Sequence, residues 1–568
     1  MRVRSFFLAL TAAAAAFPVA ALSASAQAVS AQAVASSPST DTHRAWVFFR
    51  DRAGAARVPV TPAAEARRAL RAAAGTDSLD YGVSPRYVQG LEMQGYAVET
   101  TSRWLNAAVV TLTDADARAL AALPFVRGVR PVGQMRPARA VRTFDIPALD
   151  GPLATFVAPA PEAAPFVADC GASCPQLTTI NAVAALDRGF NGTGVTLGIL
   201  DTEFGGFQHP AFGPLVASGR LKGTRNFTVG AQSDRHGQAC ASLMLGNAPG
   251  QLIGPGNGAS LYAGSTEYAP TETNAEETQF VAGLEWLEAS GVDAVSVSLG
   301  YNTFDAGQRS YTYADINGDT GVTTRAADAA VQRGMVVVAA AGNDGCSSPS
   351  SCWYYIATPA DGDSVIAVGA VDVSKNKAGF SSFGPTFDGR IKPDISAVGV
   401  SNRYASGASG YSSGSGTSFA TPMAAGVVAQ MLQANPALTP VQVRQLLRET
   451  ASQANAPDNR LGWGVIDADA AVTRALALVS APADARPDAV AVRVAQSTLT
   501  GELLLFVRGT GAARVAVYDV LGRPVADLFD GTLGPAEARL ALPRLAPGVY
   551  LYRATTAGGV AGGTVVVR

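Results

Sequence analysis

Ser418 stands in the segment GSGTSFATPMA at residues 414–424. Two glycines allow a tight turn, and an apolar helix-forming run follows. The pattern delivers a serine onto the start of a helix, where unpaired backbone N–H groups point outward. A serine placed there can attack a carbonyl while its own N–H helps hold the oxyanion. It can equally be a helix cap and nothing more, so the reading depends on a base elsewhere and a partner for that base. Two upstream segments offer them. Residues 194–202 (GVTLGILDT) form an apolar strand pattern ending in Asp201, and strand ends of that kind face the crevice in open parallel sheets. Residues 235–243 (RHGQACASL) place His236 at the opening of a helix of small and apolar residues. The chain has three histidines. Of the other two, His43 lies near the amino terminus and His209 sits in a Gln-His-Pro loop.

Two further segments gain meaning beside these. Residues 334–344 (GMVVVAAAGND) read as a buried strand running into a turn at Asn343. Residues 293–300 (DAVSVSLG) alternate small and β-branched side chains and read as another strand.

With Asp201, His236 and Ser418 in the order Asp, His, Ser, the chain resembles the subtilisin-like serine proteases, the subtilases. The resemblance spans roughly residues 176–474. GTSFATPMA matches the family's serine signature in full. Asp-Thr-Glu stands where many members have Asp-Thr/Ser-Gly, and His-Gly-Gln where many have His-Gly-Thr; both changes leave the catalytic position intact. The resemblance implies a mostly parallel α/β sheet flanked by helices and a secreted serine endopeptidase. It assigns Ser418 as nucleophile, His236 as base and then acid, and Asp201 as the group that fixes the imidazole. It further implies that the Asn343 side-chain amide donates to the oxyanion. Ser298, Leu299 and Gly300 would pair with an extended substrate and line its pocket. The abundance of small residues predicts a pocket not ruled by charge. No metal or organic cofactor is required. Structural calcium is common in the family, but the one calcium-like stretch, residues 315–319 (DINGD), lacks the later acidic ligand and reads as a turn. The alternative whole-protein reading is a retired protease fold serving as a surface or binding protein, which the four filled positions disfavour.

Strands are expected at 195–200, 260–263, 294–298, 336–339 and 364–368 to position these side chains. Helices are expected at 278–290, 324–333, 418–433 and 441–450. A chain of 568 residues exceeds one typical domain. Lys plus Arg number 43 against 45 Asp plus Glu, which argues against a nucleic-acid partner. The resemblance implies protein or peptide substrates, and the chain is expected to be monomeric.

The flanks divide the chain further. Arg2 and Arg4, the apolar run that follows and two small-residue cleavage patterns predict a signal peptide over 1–28, with a membrane anchor as the lesser alternative. Residues 40–137 read as a small α+β domain, with strands near 45–49, 107–112 and 125–131 and helices at 63–73, 85–95 and 114–122. Its position resembles that of the inhibitory propeptide of subtilases, acting in cis; a generic accessory domain is the alternative. A linker is expected at 138–169, the catalytic domain at 170–479 and a second linker at 480–489. Residues 490–568 read as a small all-β sandwich, with strands at 503–507, 513–518, 537–542 and 548–553. The pieces at 517–525 (VYDVLGRPV) and 545–553 (LAPGVYLYR) resemble the C-terminal sorting domain of Bacteroidetes-type secretion, the type IX tail. That resemblance implies export across both membranes by the type IX machinery. Five cysteines fit an oxidising compartment: Cys170 with Cys174 and Cys346 with Cys352 as local disulfides, and Cys240 as a buried free thiol.

Overall fold

The computed structural model describes residues 42–71, 77–132, 169–228, 235–346 and 353–479. Towards the C-terminus it describes 491–496, 503–508, 511–519, 523–533, 538–543, 545, 548–556 and 559–567. The expected signal peptide, most of the expected linkers, and Cys352 lie outside the described residues.

The N-terminal unit is an antiparallel sheet in the order β2-β3-β1-β4, from β1 (His43–Phe49), β2 (Val98–Ser102), β3 (Ala107–Leu112) and β4 (Val126–Pro131). Its helices are α1 (Pro62–Leu70), α2 (Pro85–Glu92) and α3 (Asp114–Ala121). Thr61 and Pro62 start α1, the threonine hydroxyl accepting from the Ala64 N–H. Thr113 and Asp116 close a capping box on α3. Strand β2, rich in threonine and half-exposed, lacks the apolar run that would reveal it in sequence.

The central sheet has seven parallel strands in the order β13-β12-β11-β10-β5-β9-β6. They are β5 (Thr196–Asp201), β6 (Leu221–Asn226), β9 (Ser260–Ser265), β10 (Ala294–Val297), β11 (Val336–Ala340), β12 (Ile366–Val371) and β13 (Ile395–Val398). A short pair, β7 (Asn247–Ala248) with β8 (Leu252–Ile253), and a hairpin, β14 (Asn402–Ser406) with β15 (Gly410–Gly414), lie beside it. The surrounding helices are α4 (Cys174–Thr179), α5 (Ala182–Asp187), α6 (Gly213–Ala217), α7 (His236–Leu245), α8 (Asn274–Ala289) and α9 (Val322–Gln332). The last three are α10 (Thr417–Ala434), α11 (Pro440–Thr450) and α12 (Ala468–Val479). The expected parallel α/β architecture is present, with small boundary shifts: α8 begins four residues early because Thr273 and Glu276 form its capping box.

Two apolar cores cover the two faces of this sheet. One gathers α7, α10 and α12. The other gathers α8 and α9 and takes in Trp46, Phe48, Trp104 and Val109 of the N-terminal unit. The N-terminal unit thus shares a core with the central domain. Helix α10 is apolar on every side and buried along nearly its whole length, as a helix crossing the interior must be.

The C-terminal strands form two antiparallel sheets. One, ordered β16-β17-β20, is β16 (Ala491–Gln496), β17 (Leu503–Arg508) and β20 (Ala538–Ala541). The other, ordered β19-β18-β21-β22, is β18 (Gly511–Asp519), β19 (Pro524–Leu533), β21 (Gly548–Thr556) and β22 (Gly559–Val567). Leu505 and Val507 of one sheet meet Val515, Leu533 and Ala554 of the other in a single buried cluster, which makes a sandwich. Tyr550 and Tyr552 pack against that cluster rather than forming an open aromatic row. No helix among the described residues is long and apolar enough to cross a membrane.

Candidate active site

The carboxyl ends of parallel strands collect the singled-out residues, as open α/β sheets require. Asp201 closes β5 and is fully buried. Its Oδ1 accepts from the Thr202 N–H at 2.8 Å and from His236 Nδ1 at 2.6 Å. His236 is the first residue of α7. That helix start is tied to the loop after β5: the Gly237 N–H donates to Thr202 Oγ1 at 3.1 Å and the Gln238 N–H to the Glu203 carbonyl at 3.1 Å. The His236 imidazole is therefore positioned by the loop that directly follows Asp201. Phe419 stacks on the imidazole, with ring centroids 5.8 Å apart.

Burial is the largest single influence and would lower the His236 pKa, but the charge and hydrogen bond of Asp201 together with the neighbouring Cys240 outweigh it and hold the imidazole well above its ordinary value. Cys240, one turn along α7, lies 3.7 Å from His236 Nδ1. Burial pushes its thiol up to about 11, so it stays protonated and is no competing nucleophile at neutral pH.

Ser418 is the second residue of α10 and is buried. Pro422 lies inside that helix, and proline has no N–H for the carbonyl four residues back, which is that of Ser418. The freed carbonyl is satisfied from outside the helix: Ser298 Oγ donates to it at 2.8 Å and Cys240 Sγ at 3.3 Å. The expected substrate strand, the histidine helix and the serine helix thus meet at one carbonyl.

Asn343 follows β11, after Gly342 at φ +111, a conformation that favours glycine. Its Oδ1 accepts from the Thr417 N–H at 2.8 Å and the Thr417 hydroxyl at 3.0 Å. With its oxygen so occupied, the amide nitrogen is the free end. A Cβ added at Gly416 would fall 2.8 Å from Ser418 Oγ and 3.7 Å from Asn343 Nδ2. Glycine at 416 therefore keeps open the space between the hydroxyl and the amide donor.

Ser298, Leu299 and Gly300 line a pocket of about 220 Å³ together with Asn343 and Ser418. The sequence reading missed two of its walls. Asp344 lines it, held by Asn302 Nδ2 at 3.0 Å, so the pocket expected not to be ruled by charge carries a carboxylate on one wall. Asn302 belongs to a loop with no regular pattern, and its partner lies 42 positions away, so sequence spacing gives no sign of the pair.

His209 and residues 315–319 fall outside the site. His209 accepts from the Ala211 N–H at its Nδ1 and pairs with the Gly410 carbonyl through Nε2, a structural arrangement. Residues 315–319 form the expected turn. Asp315 caps Thr312, and Asn317 accepts from the N–H groups of Asp319 and Thr320. Cys170 and Cys174 are disulfide-bonded, Cys346 is in a disulfide, and Cys240 is a free buried thiol.

A profile of the subtilase family matches residues 192–464, and one of the peptidase S8 propeptide domain of Bacteroidota matches residues 44–143. Subtilisin BL of Lederbergia lenta is 32% identical over 301 residues, covering 52% of this chain and 97% of that protein. Subtilisin DY of Bacillus licheniformis is 34% identical over 289 residues, covering 50% of this chain and 93% of that protein. Among solved structures, the self-cleaved protease domain of PatA is 26% identical with a TM-score of 0.40, covering 50% of this chain and 98% of the other.

Proposed function

From the premise that this chain belongs to the subtilase family and is a serine endopeptidase carrying a propeptide, we propose that Asp201, His236 and Ser418 perform the hydrolysis. The observation that carries this reading is the 2.6 Å Asp201–His236 hydrogen bond, beside a pocket lined by both Ser418 and Asn343.

His236 takes the Ser418 proton as the hydroxyl oxygen attacks the scissile carbonyl. Asp201, buried and accepting from Nδ1, fixes the tautomer that presents Nε2 to that proton and stabilises the imidazolium. The Ser418 N–H and the Asn343 amide hold the tetrahedral oxyanion. His236 then delivers the proton to the leaving amine, and water hydrolyses the acyl-enzyme. No organic cofactor enters these steps. Ser298, Leu299 and Gly300 bind the extended substrate by strand addition. A retired binding protein has no use for this hydrogen-bonded pair beside a pocketed serine, so the catalytic reading is favoured.

The division of the chain belongs to the same proposal. Residues 1–28 direct export, 40–137 block the cleft until removed, 170–479 perform catalysis, and 490–568 form a sorting sandwich for type IX delivery to the cell surface or medium. The N-terminal profile match supports the propeptide; the sorting role rests on the 517–525 and 545–553 pieces.

Ser418→Ala tests the assignment. The purified variant is expected to lose casein hydrolysis and fluorophosphonate labelling while keeping the wild-type unfolding transition. Undiminished hydrolysis would exclude Ser418 as the nucleophile.

A further inference from the structure

The N-terminal domain holds the catalytic domain through the shared apolar face, through the turn after β2, where Ser102 Oγ and the Trp104 N–H donate to Glu285, and through a cluster of arginines. Glu288, near the end of α8, is fully buried. Arg68 donates to both of its oxygens, at 2.9 and 2.8 Å, Arg103 reaches it at 2.6 Å, and Arg67 pairs with it as well. All three arginines belong to the N-terminal domain and are nearly buried. A carboxylate enclosed in this way owes its charged state to partners it loses when the domains part.

Arg67 and Arg71 extend this contact to backbone. Arg67 donates to the Val292 carbonyl at 2.6 Å. Arg71 donates to the carbonyls of Gly334 at 3.0 Å and Pro436 at 3.1 Å, and to Asp293 Oδ1 at 2.9 Å. Val292, Asp293 and Gly334 lie just before β10 and β11, at the amino ends of the parallel strands, and Pro436 follows α10. The pocket lies at the other end: Ser298 directly follows β10. Six residues of extended chain separate Val292 from Ser298, about 20 Å. The contact is reciprocal, since Arg333 of the catalytic domain pairs with Asp77 and Asp80.

We propose that Glu288, Asp293 and the carbonyls before β10 and β11 form a guanidinium-reading surface remote from the cleft. Its occupant is the arginine set of α1 and Arg103, and it retains the N-terminal domain after the chain between the two domains is cut. The proposal rests on reading that domain as the propeptide. It adds that occupation of the cleft is not what holds the domain in place. Release must break a buried ion cluster.

The test separates this surface from catalysis. In full-length Ser418→Ala protein, a recognition sequence for an added site-specific protease is placed within 138–169, so cleavage does not depend on the chain's own activity. After cleavage, the N-terminal fragment is expected to co-elute with the catalytic domain on gel filtration. Adding Arg67→Ala and Arg68→Ala should speed its dissociation by roughly 100-fold or more. Glu288→Gln, nearly isosteric, should also release the fragment faster and makes the test from the other side if the arginine variant fails to fold. Dissociation rates within about threefold of the parent in the folded variants would overturn the proposal. A wild-type protein inactive on casein would overturn the catalytic reading and leave this measurement standing.

Discussion

At the scale of single residues, the oxyanion and the base give separable signatures. Asn343 is held by Thr417 through its oxygen, so its amide is committed to one direction. Asn343→Ala is expected to lower kcat by ~10²–10³, with KM little changed, because the donor acts on charge that appears only in the transition state. A rise in KM at constant kcat would mean that Asn343 binds the ground state instead. In the proposed mechanism His236 acts as the neutral imidazole, and Asp201 with Cys240 raises its pKa against the effect of burial. Activity should therefore be low in acid and rise with pH through a value above 6.5. The ion pair runs the opposite way in stability: a raised folded pKa stabilises most at low pH, and the contribution fades as pH rises through that value. A kcat/KM profile whose acid limb lies below 6.5 would contradict the assignment. The motif residues were legible because local chemistry dictates them. Asp344 was not recognised as a pocket wall, because its place depends on Asn302, from a distant loop.

At the scale of elements, the serine helix shows what a motif does not say. Pro422 reads in sequence as part of a signature; in the structure it is the reason the Ser418 carbonyl turns to Ser298 and Cys240. Pro422→Ala restores an N–H within reach of that carbonyl and should draw it back into the helix ladder. The expected result is a fall in kcat of roughly tenfold, smaller than removal of an oxyanion donor, with the protein still folded. Unchanged kinetics would show that the carbonyl keeps its outside donors regardless. The central strands legible in advance were largely buried, β11 with a continuous β-branched run, whereas the four-residue β13, also fully buried, was not among them. Edge strand β6, with the sequence LKGTRN, and the hairpin strands NRYAS and GYSSG carry polar side chains, and their pairing is set by tertiary contacts. Glu288 is the helical counterpart. In sequence it is an ordinary helix-surface charge, and docking of another domain buries it.

At the scale of the whole molecule, the units differ in how far they depend on one another. The N-terminal sheet contributes to a core shared with α8 and α9, whereas the buried cluster of the C-terminal sandwich draws its described members from 505–554 alone. Helix α12 is the last element tied to the catalytic core, with Ala468, Ala471, Val472 and Ala475 buried in it. A chain ending at Val479 keeps that helix whole and removes only the sandwich and the residues before it. Truncation after Val479 is therefore expected to leave casein hydrolysis within about twofold of the parent, and the unfolding midpoint of the catalytic domain unchanged, since a domain with its own core unfolds as its own unit. In a host with the type IX machinery the same truncated chain should accumulate in the periplasm. The two measurements fail independently. A lowered midpoint would show that the sandwich packs on the catalytic domain as a structural partner. Normal arrival in the medium would remove the sorting role and leave the sandwich free for another task.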